Sequence, residues 1–123
     1  MGRWAYFSTD YEYKFWFAIQ SSEDILEFGG EDISEEDEPE HRWVASADVE
    51  YIHAKLLVCA KDNGVVLPDF ESFEKSVDGT YEMEQTIENK KFKDEKVAAW
   101  FYLGCIIYHQ LLWNDELTAR YEL

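Results

Sequence analysis

Residues 97–113, VAAWFYLGCIIYHQLLW, run for 17 residues without a formal charge, and no other stretch limits the fold as much. Its length lies at the lower edge of what crosses a bilayer. His109 and Gln110 interrupt it, while KDEK before it and NDE after it bring charge close on both sides. The pattern predicts a central helix enclosed by the rest of the chain, with no membrane contact. A helix that is apolar on most sides must be wrapped by other elements. The 123-residue sequence has the material for this, being 46% hydrophobic and 17% aromatic. That length suits one domain, expected to span 1–123.

The amino-terminal stretch supplies the first wrapping layer. Tyr11, Tyr13, Phe15, Phe17 and Ile19 alternate with Glu12, Lys14, Trp16, Ala18 and Gln20, the period of a strand with one apolar face. With STD as the turn, residues 3–8 and 11–20 read as an antiparallel hairpin. Ser21 or Ser22 could cap a short helix ended by Gly29 or Gly30. The segment EDISEEDEPE, 31–40, reads as an exposed acidic loop, and HRWVAS, 41–46, as a returning strand.

Asp48 and Gly64 bracket a helix whose apolar side is Val49, Ile52, Leu56, Cys59 and Ala60. After the break at Pro68, Phe70, Phe73 and Val77 suggest another helix. TYEMEQTIENKKFK fits two periods: Tyr81 and Met83 alternate as in an edge strand, whereas Met83 and Ile87 have helical spacing. The expected class is α+β. An amino-terminal antiparallel hairpin extends into a small sheet, packed against a long apolar carboxy-terminal helix and one or two further helices.

Charge narrows the function. Against 27 acidic residues stand 11 Lys and Arg, a formal charge of −16, and residues 21–40 hold ten acidic residues and no basic one. Such a field repels nucleic acid and anionic membranes and steers basic surfaces inward. The only cysteines, Cys59 and Cys105, lie in apolar segments and read as reduced core thiols, which together with the absence of a signal-peptide pattern in MGRWAYFSTDYEY predicts a cytoplasmic protein. The myristoylation pattern also fails, with Tyr6 where Ser or Thr would stand.

Specific chemistry is poorly signalled. There is no phosphate-binding glycine loop and no GxSxG elbow. Three histidines without a close ligand pair argue against zinc, and the acidic block lacks the glycine and spacing of a calcium loop. No cofactor or metal is expected. Cys105 and His109 share a helix face at i, i+4, but apolar surroundings favour the inert thiol. Glu71 with Glu74 and Glu84 with Glu88 are paired carboxylates that composition alone explains. Lys90, Lys91, Lys93 and Lys96 around Phe92 form the one basic patch, too small to serve as a nucleic-acid site in so acidic a chain.

The leading expectation is an acidic protein-interaction module, more readily a binder than an enzyme. It would act as an inhibitor or immunity-type protein that occludes a basic, nucleic-acid-binding surface by carboxylate mimicry of phosphates. Arg pairs carboxylate and phosphate with the same bidentate geometry. The expected contact residues are Asp24, Glu27, Glu31, Asp32, Glu35, Glu36, Asp37, Glu38 and Trp43, with Trp43 and Phe28 as aromatic anchors. Two alternatives stand beside it. One is a small enzyme or ligand-binding domain, with Trp16 and its neighbours Glu12, Lys14 and Gln20 meeting a polar ligand. The other is a structural subunit whose apolar helix buries against a second copy in a homo-oligomer, or against another chain.

Overall fold

The computed structural model describes residues 3–8, 12–17, 31–32, 41–46, 48–87, 91–92 and 94–122. Between residues 48 and 113 the chain is mainly helical. Helix α1 (Val49–Asn63) starts where the Asp48 side chain accepts a hydrogen bond from the Tyr51 backbone N–H. It stops at Gly64, whose left-handed φ of 68° lets its N–H reach the carbonyls of Ala60 and Lys61. Ile52, Leu56 and Ala60, four residues apart, form its buried stripe.

A 3-10 turn (Phe70–Ser72) follows, then helix α2 (Val77–Thr86). Ser76 caps α2 by accepting from the Gly79 N–H at 3.0 Å, and the Thr80 hydroxyl donates back to the Ser76 carbonyl. Helix α3 (Glu95–Trp113) is capped by Asp94, which accepts from the Lys96 N–H at 2.9 Å. At the other end the Asn114 side-chain amide donates to the Gln110 carbonyl.

α3 lies at the centre of the core. Phe101, Leu103, Cys105, Ile106 and Ile107 are fully buried, and α3 touches α1, α2 and the 3-10 turn. Phe92 meets Phe101 with ring centroids 5.3 Å apart, and Phe70 meets Tyr108 edge-on at 4.6 Å. The Tyr102 hydroxyl donates to the Ile87 carbonyl, tying α3 to the end of α2.

Five strands make one antiparallel sheet. They are β1 (Arg3–Ser8), β2 (Glu12–Phe17), β3 (Glu31–Asp32), β4 (His41–Ser46) and β5 (Glu116–Glu122). Their order is β2-β1-β5-β4-β3, with every neighbouring pair antiparallel. Phe7, Leu117 and Ala119 belong to the same buried cluster as α3, which marks the helix-covered face.

The structure differs from the sequence expectation in four places. The long helix does not end the ordered chain, because β5 follows it and becomes the middle strand. Glu31 and Asp32, expected at the start of the acidic loop, form β3 and pair with Val44 and Trp43. The segment 70–77 is not a continuous helix: Phe73 is extended, and the next helix begins at Val77. The ambiguous piece around Met83 is helical, which buries both Met83 and Ile87. The short helix expected within 21–30 lies outside the described residues, as do residues 18–20 at the end of the expected hairpin.

Candidate functional site

The acidic block meets the described structure at β3. Glu31 is exposed, and Asp32 stands opposite Trp43 on β4. Trp43 in turn stands opposite Ala119, and Ala119 opposite Phe7. Residues directly opposite share a sheet face. Phe7 and Ala119 are both buried against the helices. Asp24, Glu27, Phe28, Glu35, Glu36, Asp37 and Glu38 lie outside the described residues.

The Cys105–His109 pair is enclosed in the core. Cys105 is fully buried, and burial pushes its thiol well above the ordinary range, with the charge of Cys59 and then Glu84 adding to the effect. A thiolate nucleophile is disfavoured there. Burial also raises the Cys59 thiol, and the neighbouring Asp62 raises it further. His109 is fully buried, with Nε2 3.3 Å from the Phe73 carbonyl. A carbonyl can only accept, so Nε2 carries the proton and Nδ1 presents its lone pair. Nδ1 has no partner among the described residues.

Burial depresses the His109 pKa below its usual value, and the bond to Phe73 only partly opposes this. Well above pH 6.5 the imidazole is neutral in both folded and unfolded chains and adds no pH dependence. As pH falls from about 6.5 toward the lower folded value, the unfolded chain takes up the proton first, so stability is lost in that window. Between pH 7.5 and 5.5 the Tm of the natural chain should fall by a few degrees. His109→Gln should flatten that slope, and parallel slopes would contradict the assignment.

Other candidates separate in space or stay on the surface. Glu71 and Glu74 are both exposed, beside the 3-10 turn. Lys91 and Lys96, the described members of the basic patch, are exposed as well. Among the described residues no three His, Cys, Asp or Glu side chains stand close enough to hold a metal ion. None of the described helices is long and apolar enough to cross a membrane. Among the described apolar residues of α3 only Trp113, near its end, is largely exposed.

Sequence reading missed the backbone pairing of β5 with β1 and β4, which brings residues distant in sequence into register. Strand register sets Lys14 opposite Tyr6, Tyr6 opposite Arg120, and Arg120 opposite Arg42. The adjoining row is Trp16, Trp4 and Glu122. Val44 and Thr118, in register with each other, are half-buried, while Glu31 and Glu116 are exposed. Alternation over residues 12–17 hinted at two faces, but nothing local joins Arg42 to Arg120. Comparison with protein-family models, with characterised proteins and with solved structures gives no match, so the geometry stands alone as the guide to function.

Proposed function

We propose that the chain is an acidic protein-interaction module that occludes a basic, nucleic-acid-binding surface on another protein, as an inhibitor or immunity-type protein would. The observation that carries this reading is the concentration of ten acidic and no basic residues in 21–40, within a chain of net charge −16. Its frame supports it too: Glu31 and Asp32, inside that block, are strand residues paired with Val44 and Trp43 of β4. Carboxylates held by such a frame can take the place of backbone phosphates before Arg side chains. The reading keeps the finer architecture expected from sequence, an aromatic hairpin extended into a sheet and packed on the apolar helix.

Within this reading the carboxylates Glu31, Asp32, Glu35, Glu36, Asp37 and Glu38 are the contact groups, with Asp24 and Glu27 extending the field. Trp43, the cross-strand partner of Asp32, is the aromatic anchor of that contact surface. The module acts by occlusion, and no bond is made or broken.

Capture from source-cell extract at low salt, with the natural chain and the triple variant Glu35→Lys, Glu36→Lys and Asp37→Lys side by side, tests this. Basic proteins retained by the natural chain should leave in a high-salt wash. The triple variant should bind them roughly a hundredfold or more weakly, mainly through slower association. Equal retention by both chains, or retention that ignores salt, overturns the proposal.

A further inference from the structure

Helix α1 buries one side of itself and leaves a second apolar side uncovered. Ile52, Leu56 and Ala60 are buried, whereas Tyr51, Ala54, Leu57 and Val58 are exposed, Val58 at 59%. With 3.6 residues per turn, the exposed set lies opposite the buried one. Tyr51, Ala54 and Val58 follow one another at steps of three and four, with Leu57 beside them, the spacing by which two helices interlock. One exposed apolar side chain needs no explanation, but four adjoining on a helix mark an interaction surface.

The charges around this patch balance, in a chain whose net charge is −16. Glu50, in the first turn, and Asp62 are exposed acids, while the bases are Lys61, in the last turn, and half-buried Lys55. Lys55 lies over the Tyr51 ring, 5.0 Å from its centroid. A balanced patch has no net field to steer a basic partner onto it. It is complementary to itself instead. Glu50 and Lys61 stand about 16 Å apart along the helix, and their midpoint falls between residues 55 and 56. The midpoint of Ala54 and Leu57 falls at the same place. A two-fold axis there sets each Glu50 beside Lys61 of the other copy, and each Ala54 beside Leu57 and Val58 of the other copy. The small Ala54 lets the two backbones come close.

We propose that the exposed side of α1 is the docking surface for a second copy of this chain, packed antiparallel about that two-fold axis. An isologous pair of this kind is the commonest form of soluble oligomer. A 15-residue helix contact falls short of the roughly 1,200 Å² that a stable interface buries, so the dimer is weak, with a Kd of roughly 10–100 μM. Repulsion between two chains of charge −16 weakens it further at low salt, and screening relieves that repulsion. Association therefore tightens as salt rises. Docking of the acidic block on a basic surface has the opposite salt dependence, so the two proposals fail independently.

Sedimentation of the full chain from about 10 μM to about 1 mM, in low and high salt, tests this. A monomer–dimer equilibrium is expected, at least threefold tighter in high salt. Leu57→Gln and Val58→Gln should each weaken it about tenfold and move the Tm by no more than a few degrees, since both side chains are exposed. Glu50→Lys and Lys61→Glu should each weaken it severalfold, and the double swap should regain the natural affinity. Glu50→Lys makes the chain less negative, so a dimer governed by net charge alone would tighten instead. Glu50 and Lys61 also complement the ends of their own helix, and the double swap is the least favourable there. Association restored in that variant comes from pairing between copies. A chain still monomeric at high concentration and high salt overturns the proposal and leaves the patch to a different protein. So does a dimer indifferent to Leu57→Gln and Val58→Gln, or a double swap no tighter than the single ones.

Discussion

Phe101→Ala is expected to remove about 3–5 kcal/mol of folding stability, the range for emptying a buried aromatic site. Phe101 is fully buried in the middle of α3, and its ring meets Phe92. Truncation loses the transfer energy of the ring and leaves a hole that its neighbours cannot wholly fill. A domain of this size has about 5–15 kcal/mol in all. The variant should unfold at a much lower urea midpoint with little change in slope, and a loss below 1 kcal/mol would show that α3 is not the centre of the core.

Gly79→Ala should be the second large effect, with a sign opposite to the usual one. In an exposed helix the change from Gly to Ala stabilises by about 1 kcal/mol. Here a Cβ at position 79 would stand 2.1 Å from the Glu74 carbonyl oxygen and 2.7 Å from the Glu74 carbonyl carbon, both backbone atoms that cannot rotate away. The segment before α2 must shift, which endangers the bond from the Gly79 N–H to the Ser76 cap. A loss of about 3 kcal/mol is expected. Denaturant midpoints measured beside those of the natural chain would show it, and a gain in stability would mean that residues 74–79 relax freely.

What the sequence made legible depended on whether the signal was local. α1 carried its stop and start signals, Asp48 and Gly64, and a stripe at four-residue spacing, so its limits and buried face were both readable. The piece around Met83 gave two periods because a helix of ten residues offers few repeats to count. Met83 and Ile87 decide it in favour of the helix once α3 is beside them. β5 was missed although Leu117, Ala119 and Tyr121 alternate with Glu116, Thr118, Arg120 and Glu122. Three apolar residues after a 17-residue uncharged run look like a frayed helix end, and only the pairing with β1 and β4 gives them meaning.

The candidate sites divide along the same line. The acidic block is a matter of composition, so it was visible at once, while the geometry of its central residues is not carried by local pattern. The register of β4 against β5 was invisible for the converse reason. Arg42 and Arg120 have ordinary neighbours in sequence, and strand register alone makes them a pair.

The position of β5 also sets the kinetics of folding. Its pairing with β1 joins residues roughly a hundred positions apart, as at Phe7 and Ala119. Contacts of such long range raise the contact order and slow the search for the native state, because loop-closure entropy is lost before the reward arrives. Until β5 inserts, β1 and β4 each have a bare hydrogen-bonding edge, the surface on which misfolded chains join. A strongly like-charged chain keeps its copies apart in solution during that interval. The excess of carboxylates thus guards the edges that the folding chain leaves unpaired.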